Sequence, residues 1–570
     1  MEYDLKISGG TIVDGTNTPR YKGDLGIVDG KIVAVGDAPG TAKKTIDATG
    51  KIVCPGFIDN HTHYDAQVLW DQMMTISPWH GVTTVLLGNC GFGVAPVRKE
   101  DQDTIIRTLE GVEGMDANSM RAGLGTDWPF ETFPEYMQTL ENIGVGINVG
   151  ALIGHTPTRL YVMGDDSTER EATGDEVLKM REIVRDALKA GAIGFATSKA
   201  PTHVGAGGKP VPSRMANYKD EILEIVKVVG EEKQGIIQST IGTDVLHDQF
   251  AEMSKVADCN VTWTALLQGV SLGGGDHIEQ LARSAEINAN GARVFPQVSP
   301  RSLSFDMNMK APFLFESMAT FKPVSEADLE GRRKIYADTK FRADFKAEVL
   351  TGKSVVLGGW HDTVISEYPV DPSLKEQKLF DIAKSRGEDP VDTLLDMVLE
   401  SDFGLRIRSP IGNYDEVEVE KLLKDPNTVI GLSDGGAHAS QLCDSCYATY
   451  LLGYWVRDKG AIELEHAIWM LTSRVADVIN IVDRGRLEVG LAADVVVFDA
   501  ATVGAGDLER VNDLPDGADR LISEASGIDA VVVNGVLLRA NNVDQLNPAN
   551  DKLPGKVLRG SVDGARASTQ

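Results

Sequence analysis

Two histidines stand two residues apart in the segment CPGFIDNHTHYD, residues 54–65. Side chains at positions i and i+2 of a strand point to the same face, so His61 and His63 are predicted to project together from the end of an apolar strand. Neutral imidazoles held in this way suit a divalent metal ion, most often zinc. Taken alone, the pair fits a metal site and two hydrogen-bonded core histidines about equally well, so the residues that end neighbouring strands decide between them.

A carboxylate ends another apolar run. Asp434 lies in VIGLSDGGAHAS, before two glycines that permit a sharp turn. A carboxylate at this place can bind a metal and accept a proton from a water molecule. The alternative role is a helix N-cap, for which aspartate is also favoured. His438, four residues later, is a candidate for orienting Asp434 or for donating a hydrogen bond to a substrate.

The middle of the chain repeats a strand, loop and helix rhythm. Continuous apolar runs are typical of parallel strands buried on both faces, and eight such runs predict an α/β fold, a (β/α)₈ barrel over residues 56–482. The runs are GFID, VTTVLLGNC, GINVGALIGHT, AIGFATSK, GIIQST, NVTWTALL, ARVFPQV and TVIGLSDG. Barrels of this kind gather their chemistry at the carboxyl ends of the strands. The candidates at such ends are His61, His63, Cys90, His155, Lys199 and Asp434.

Two β-rich segments flank this middle, residues 1–55 and residues 483–570. Alternating apolar and polar residues separated by glycine turns predict short hairpins, and we expect the two segments to pair into one small β-sandwich. The stretch from about 301 to 425 is too long for a plain loop, so it is predicted to be an insertion over the barrel mouth. The polar tail from residue 560 is expected to be loosely ordered.

Charge and composition narrow the partners. The chain has 56 Lys and Arg against 84 Asp and Glu, a formal net charge of −28, which repels nucleic acids and anionic lipids and favours a small-molecule substrate. We find no secretory signal and no apolar run near the roughly 18 residues of a membrane span, so no membrane partner is expected. Five scattered cysteines suit a reducing compartment and predict a cytoplasmic protein. The sequence leaves open whether the protein is a monomer or a homo-oligomer.

A series of motifs occurs in order along nearly the whole chain: PGFIDNHTHYD, GVTTVLLGNCGFGVAP, GLSDGGAH, and GLAADVVVFD with VVVNG. Together they resemble the amidohydrolase superfamily and, within it, the D-aminoacylase branch of N-acyl-D-amino-acid deacylases. The resemblance implies a metal-bearing barrel joined to a β-sandwich from both termini, with one or two zinc ions per chain. It also implies that Cys90 in the GNCG motif is a zinc-bound thiolate, whereas a strand cysteine taken alone is more often a buried hydrophobe.

The chain departs from this family on two strands. The D-aminoacylases carry two further metal-binding histidines at the ends of strands five and six, where this chain has GIIQSTIG and NVTWTALLQG. These runs offer amides and hydroxyls, which are poor zinc ligands. The residues concerned are Gln238, Ser239, Thr240, Thr262, Thr264 and Gln268. Many amidohydrolases use a carboxylated lysine at the end of strand four to bridge two metals, and Lys199 is a further candidate ligand there, although a surface or substrate-binding lysine is equally consistent with the sequence.

Other residues are candidates for contacts with the metal site or with the substrate. His155 and His203 are further possible metal ligands, although such residues more often lie in loops or hydrogen-bond to the ligands, and Gln238 could contact the ligands or the substrate. A substrate carboxylate would need a cationic partner, and the arginines considered for that role are Arg301, Arg214, Arg406 and Arg408.

These observations predict a metal-dependent hydrolase that cleaves a C–N bond of a small molecule, with an N-acyl-D-amino acid as the leading substrate class. The metal would polarise the carbonyl and lower the pKa of a water molecule from 15.7 towards about 7. Asp434 would accept the proton as general base and return it to the departing nitrogen as general acid. Two alternatives are a hydrolase of another amide, cyclic amide, urea or lactone, and a degenerate barrel that binds a ligand or partner.

Overall fold

Five strands at the start of the chain form part of a mixed sheet. They are β1 (Glu2–Ile12), β2 (Tyr21–Val28), β3 (Lys31–Gly36), β4 (Thr41–Asp47) and β5 (Ile52–Pro55). β1 pairs antiparallel with β2 along one edge and parallel with β4 and β5 along the other. The turn between β2 and β3 has positive φ at both Asp29 and Gly30, as a two-residue hairpin turn requires.

The computed structural model of the protein describes residues 2–271, 273–315, 318–351 and 358–567.

Seven strands in the middle of the chain form a parallel sheet in chain order. They are β6 (Phe57–Asp59), β7 (Val82–Leu87), β8 (Asn148–Gly154), β9 (Gly194–Ser198), β10 (Ile236–Thr240), β11 (Val261–Thr264) and β12 (Val294–Val298). Almost every residue in them is buried, because helices cover one face and side chains from the opposite strands fill the other. The continuous apolar runs of the sequence therefore form the strands predicted for them.

Amphipathic helices connect and cover these strands. They are α1 (Gln102–Glu113), α2 (Ala117–Leu124), α3 (Phe133–Ile143), α4 (His155–Met163), α5 (Gly174–Lys189), α6 (Leu223–Glu232), α7 (His247–Ala257) and α8 (His277–Ala289). α5 shows how the sequence specifies them: Thr173 and Glu176 form a capping box at its start. Its buried residues Val177, Met180 and Val184 recur at helical spacing, so one face packs on the barrel.

The segment that follows β12 has a sheet and a core of its own. Its antiparallel strands are β13 (Leu303–Asn308), β14 (Val364–Glu367) and β15 (Arg406–Gly412), and its helices are α9 (Lys322–Ser325), α10 (Leu329–Ala337), α11 (Thr339–Thr351), α12 (Leu379–Arg386) and α13 (Pro390–Glu400). A buried cluster that includes Phe321, Phe345 and Trp360 lies within this segment. α14 (Glu416–Lys424) instead packs Val419 and Leu422 into the barrel core.

The eighth barrel strand, β16 (Val429–Ile430), is short and closes the barrel. It pairs parallel with β12, and just beyond it the backbone N–H of His63 donates to the carbonyl oxygen of Gly435 at 2.7 Å. This contact joins the last strand to the first, so the middle of the chain is a (β/α)₈ barrel, as predicted. Closure brings the residues that follow β6 and β16 together at one end of the barrel.

After three further helices the chain returns to the terminal sheet. The helices are α15 (Tyr447–Tyr450), α16 (Leu464–Leu471) and α17 (Ser473–Val478). The strands that join the terminal sheet are β17 (Val495–Phe498), β20 (Ile528–Val533), β21 (Val536–Ala540) and β22 (Val543–Asp544). Two separate two-stranded sheets are formed by β18 (Gly504–Val511) with β19 (Arg520–Ser526) and by β23 (Leu558–Arg559) with β24 (Arg566–Ala567). β17 lies between β5 and β20, so both ends of the chain share one nine-stranded sheet with its own core, which confirms the predicted pairing of the termini.

Within the described part of the chain, no helix combines the length and apolarity that crossing a bilayer requires.

The tail from residue 560 was expected to be loosely ordered, and for residues 560–567 this expectation is wrong. The backbone N–H of Gly560 donates to the carbonyl oxygen of Gly191 at 2.9 Å, and that of Ala565 donates to Asn480 at 2.8 Å. Ala565 is buried, and β23 pairs with β24. Backbone hydrogen bonds to the barrel therefore order a polar segment whose composition predicts disorder, while residues 568–570 lie outside the described range.

Candidate active site

Four side chains from three different strand ends meet inside the barrel mouth. His61 and His63 follow β6, Cys90 follows β7 and Asp434 follows β16. His61 Nε2 lies 3.5 Å from Cys90 Sγ and 3.3 Å from Asp434 Oδ1. The ligand atoms of His61, His63 and Cys90 all lie within 4.8 Å of one another, and His63 Nε2 is 3.9 Å from Asp434 Oδ1. The structure thus brings together the four residues that the sequence singled out.

The backbone holds two of these residues in an unusual conformation. Cys90 has φ 55° and Asp434 has φ 48°, in the left-handed region that side chains other than glycine rarely adopt. Glycines on either side of Cys90, Gly88 and Gly91, also have positive φ. Such conformations cost about 1–3 kcal/mol each and persist where the surroundings enforce them, typically at functional sites.

Burial sets the protonation of the cluster. It lowers the pKa of His61 to about 4 and that of His63 well below its usual range, so both imidazoles are neutral. It raises the pKa of Asp434 to about 6 and that of the Cys90 thiol well above its usual range. Neutral imidazoles, a carboxylate and a thiol that a cation would ionise are the donors that zinc prefers. The residues present therefore fit a zinc ion.

A network of amides and hydroxyls backs this cluster. Gln297 Oε1 lies 2.6 Å from His61 Nδ1, and because a carbonyl oxygen can only accept, the proton of His61 is on Nδ1. Its Nε2 lone pair therefore faces Cys90 and Asp434. Thr264 Oγ1 donates to Gln297 Oε1 at 2.8 Å, and Gln238 Nε2 donates to Thr264 at 3.0 Å.

This network involves strands five, six and seven. Gln238 Oε1 also accepts from the backbone N–H of Cys90 at 2.7 Å, and Thr262 accepts from Gln297 at 3.3 Å. Gln238 and Thr264, on the two strands where the resemblance places histidines, are thus hydrogen-bonded to each other and to Cys90 or to the partner of His61. Sequence reasoning missed Gln297, although an amide in the middle of the apolar strand VFPQV is a signal, because a buried amide requires partners.

Lys199 does not occupy a position that would bridge two metal ions. Its amino group donates to the carbonyl oxygens of Arg214 and Ala216, both at 2.7 Å, and lies 3.4 Å from Asp244. These are contacts of an ammonium ion, and a carboxylated lysine, which is anionic and keeps one N–H, could not make them. Its hydrogen bonds join the loop after β9 to the segment that contains Arg214.

His155 belongs to a separate buried ion pair. Its Nε2 lies 3.0 Å from Glu221 Oε1 and its Nδ1 lies 2.8 Å from Thr197 Oγ1. Arg159 Nε donates to the same Glu221 oxygen at 2.7 Å, and all three charged or polar groups are almost fully buried. His155 therefore joins helix α4 to its neighbours, and both of its ring nitrogens are already engaged.

The four candidate arginines differ in their partners. Arg301 lies 3.0 Å from Asp444, and Arg406 and Arg408 form ion pairs with Asp306 and Glu376. Arg214 donates to the carbonyl oxygen of His203 at 3.0 Å and, among the described residues, has no carboxylate within ion-pair distance.

Arg214 also lies near the site, because its partner His203 packs close to the metal ligands. The ring of His203 is 5.1 Å from that of Phe92, which in turn packs on His63 at 6.3 Å. Burial, followed by repulsion from His438, Arg214 and His61, lowers the pKa of His203 to about 3. Arg214 is thus the candidate arginine that remains available to an anionic group near the metal ligands.

Sequence reasoning missed one acidic residue of the site. Glu113, the last residue of α1, places Oε2 3.6 Å from His63 Nε2 and 4.0 Å from His438 Nε2. The backbone N–H of His438 donates to the carbonyl oxygen of Glu113 at 2.5 Å, so the helix end and the loop after Asp434 are tied together. A glutamate at the end of an amphipathic helix carries no local signal of function.

A family model described as "Amidohydrolase family" matches residues 44–269 and 341–538. The chain belongs to the amidohydrolase family. This amidohydrolase is 29% identical to the D-aminoacylase of Alcaligenes xylosoxydans xylosoxydans over 94% of each chain. The D-aminoacylase relative confirms the resemblance drawn from the motifs.

Solved structures agree with this assignment. A crystal structure of D-aminoacylase is 25% identical to this amidohydrolase, with a TM-score of 0.65 over 98% of this chain and 100% of that one. The N-acyl-D-glutamate deacylase of Bordetella bronchiseptica, solved with zinc and a phosphonate inhibitor that mimics the tetrahedral intermediate, is also 25% identical, with a TM-score of 0.63 over 98% and 100% of the chains.

Proposed function

We propose that this amidohydrolase uses zinc to hydrolyse the amide bond of an N-acyl-D-amino acid or a related small N-acyl compound. The observation that carries the proposal is the convergence of two neutral imidazoles, a thiol and a carboxylate at the carboxyl ends of the barrel strands. The relatives support the reaction class, since they are a D-aminoacylase and an N-acyl-D-glutamate deacylase. The zinc in the second of these supports the choice of metal.

His61, His63, Cys90 and Asp434 would hold the ion. When bound, zinc supplies a Lewis acid that polarises a carbonyl and lowers the pKa of a water molecule from 15.7 to about 7. Gln297 orients His61 with its lone pair toward the ion, as partners behind metal-binding histidines commonly do. We propose one ion per chain, because Gln238 and Thr264 of strands five and six are hydrogen-bonded to each other and Gln238 also accepts from the backbone N–H of Cys90.

Asp434 is the general base and then the general acid. Its side chain is 23% exposed, whereas that of His61 beside it is fully buried, so Asp434 is the ligand that reaches the substrate space. Its carboxylate accepts a proton from the attacking water and returns that proton to the departing nitrogen. Its hydrogen-bonded turn, in which Ser433 accepts from the N–H of Gly435, holds it in place for both transfers.

Arg214 is positioned to bind the carboxylate of an amino-acid substrate. A guanidinium group forms two parallel hydrogen bonds to a carboxylate, and Arg214 still has donors available for such a pair. The small-molecule substrate, rather than nucleic acid, also agrees with the net charge of −28.

We also propose that the protein works in the cytoplasm. All five cysteines are free and buried in the structure, which suits a reducing compartment. Fractionation of cells that produce the protein would test this location.

Hydrolysis of paired N-acetyl-D-amino and N-acetyl-L-amino acids by the zinc-loaded protein tests the proposed function. We expect the D substrates to be cleaved and the L substrates spared. Asp434→Asn is expected to lower kcat by about 10²–10⁴-fold, since it removes the proton acceptor, while Asp458→Asn at an exposed position leaves kcat unchanged.

A second candidate substrate class is favoured by the altered strands five and six, which reshape the inner wall of the site. Cyclic amides, ureas and lactones therefore belong in the same panel. Turnover of one of these, with every N-acyl amino acid left intact, would replace the deacylase proposal, and a zinc-loaded protein inactive on the entire panel would favour a degenerate binding protein.

A further inference from the structure

Glu113 is a buried carboxylate with few partners. Its side chain is only 5% exposed, and no donor in the described part of the chain lies within hydrogen-bonding distance of its oxygens. Its nearest polar neighbours are the Nε2 atoms of His63 at 3.6 Å and His438 at 4.0 Å. The carboxylate therefore points at the metal ligands and not at a structural partner.

This arrangement is costly without a cation. An ionised carboxylate removed from water loses several kcal/mol of solvation unless it is paired. Asp434 Oδ1, 3.9 Å from the same His63 Nε2, brings a second carboxylate to this side of the site. A divalent ion would compensate both of these carboxylates at once.

The distances suit a shared ion. Two neighbouring ligand atoms of one zinc ion lie about 3.0–3.4 Å apart, given metal–ligand distances near 2.1 Å and angles between 90° and the tetrahedral value. The separation is 3.3 Å for His61 and Asp434 and 3.6 Å for His63 and Glu113. Since the ligand atoms of His61, His63 and Cys90 form the group that lies within 4.8 Å, Glu113 would approach as a further ligand from the side of His63. The hydrogen bond from His438 N–H to the Glu113 carbonyl holds the end of α1 beside the loop of Asp434, which fixes this geometry before any ion binds.

We propose that Glu113 is an anionic ligand of the metal centre, supplied by the end of α1. The inference rests on the metal centre of the proposed function. Glu113 would supply a negative charge on one side of the metal site. On the opposite side, Gln238, Thr264 and Gln297 are hydrogen-bonded in sequence.

Cobalt binding tests the ligand directly. Co²⁺ replaces zinc in such sites, and its visible absorption reports the number and type of ligands. We would titrate the metal-free full chain with Co²⁺ and measure affinity by competition with a chromophoric chelator. Glu113→Gln, which is nearly isosteric, is expected to weaken binding about tenfold or more and to shift the absorption bands. Glu113→Asp, which keeps the charge on a shorter side chain, is expected to retain most of the affinity with a shifted spectrum.

The matched control is Glu110→Gln, an exposed position one turn earlier on the same helix. It removes the same charge and should change neither affinity nor spectrum. Glu113→Gln with wild-type bands would overturn the inference even if affinity fell, because a remote charge effect leaves the coordination unchanged. Should Glu113→Gln fail to fold, wild-type bands in Glu113→Asp would overturn it as well.

Failure of the proposed function is a separate result. If the wild-type chain binds no metal, the metal-dependent mechanism and this inference both fail. If the wild type binds Co²⁺ and Glu113→Gln changes the spectrum while no substrate is cleaved, the ligand assignment stands and the reaction assignment fails.

Discussion

Gln297 illustrates how a single residue behind the site controls a metal ligand. Its Oε1 accepts from His61 Nδ1 at 2.6 Å and from Thr264, so it fixes both the ring orientation and the tautomer of His61. Partners behind metal ligands typically contribute about 10–100-fold to metal affinity.

We expect Gln297→Met to weaken zinc binding by about 10–100-fold, because it fills a similar volume but offers no acceptor for His61. Thr262→Val is the comparison, since Thr262 only accepts from Gln297 at 3.3 Å and makes no contact with His61. Zinc affinity from chelator competition measures both. Unchanged affinity in Gln297→Met would contradict a role for this amide, and Thr264 Oγ1, 3.1 Å from His61 Nδ1, would then be the partner to test.

Asp434 predicts the pH dependence of turnover. Burial raises the pKa of this carboxyl to about 6, and a bound cation lowers it from there. The ionised form is the proton acceptor, so activity is present above the pKa and is lost as the pH falls through it. We expect kcat/KM to decrease about tenfold per pH unit below a midpoint at or below pH 6. A pH–rate profile checks this, with recovery of activity at pH 7 as the control for acid damage; a profile without an acid limb would contradict the assignment.

At the scale of the elements, helix α4 depends on one buried ion pair. Arg159 is fully buried, donates to Glu221 at 2.7 Å and also donates to the carbonyl oxygens of Pro212 and Arg170 at 3.1 and 2.8 Å. His155 Nε2 donates to the same Glu221 oxygen at 3.0 Å. These contacts join α4 to the segment that precedes α5 and to the segment between β9 and α6, so the pair acts on stability and not on the reaction.

Glu221→Ala is expected to lower the free energy of unfolding by about 3–5 kcal/mol, because it leaves the charge of Arg159 buried without a partner. Zinc content per folded chain should stay unchanged. Asp220→Ala at the adjacent exposed position is the control and should be close to neutral. Chemical denaturation and elemental analysis measure the two quantities, and loss of zinc from folded Glu221→Ala would instead tie His155 to the metal site.

At the scale of the whole molecule, the surface charge opposes the proposed substrate. A net charge of −28 creates a negative potential around a protein whose substrate would also be an anion. Salt screens this repulsion, since the Debye length shrinks from about 30 Å at 0.01 M to about 8 Å at 0.15 M ionic strength. Approach of the substrate should therefore become easier as salt is added.

We expect kcat/KM for an N-acyl-D-amino acid to rise about two- to threefold between 0.01 and 0.15 M sodium chloride. The corresponding neutral N-acyl amino amide is the control and should show little change. A rate that falls with salt for the acid alone would mean that a local positive field, such as that of Arg214, outweighs the net charge.

The sequence alone was sufficient for the barrel strands and for four residues of the site. Buried parallel strands require continuous apolar runs, and these runs are local, so the eight strands could be read directly. His61, His63, Cys90 and Asp434 each follow such a run. Because parallel strands of a barrel end at one rim, their convergence followed from the fold.

The tertiary structure decided what surrounds those four residues. Glu113 reaches the site from a helix end and Gln297 reaches His61 across the barrel, a separation of 236 residues. Lys199, one of the candidate ligands, donates instead to two carbonyl oxygens. Contacts of this kind depend on where distant elements pack, and no local pattern specifies them. The local sequence therefore predicts which groups can react, whereas packing determines which of them meet.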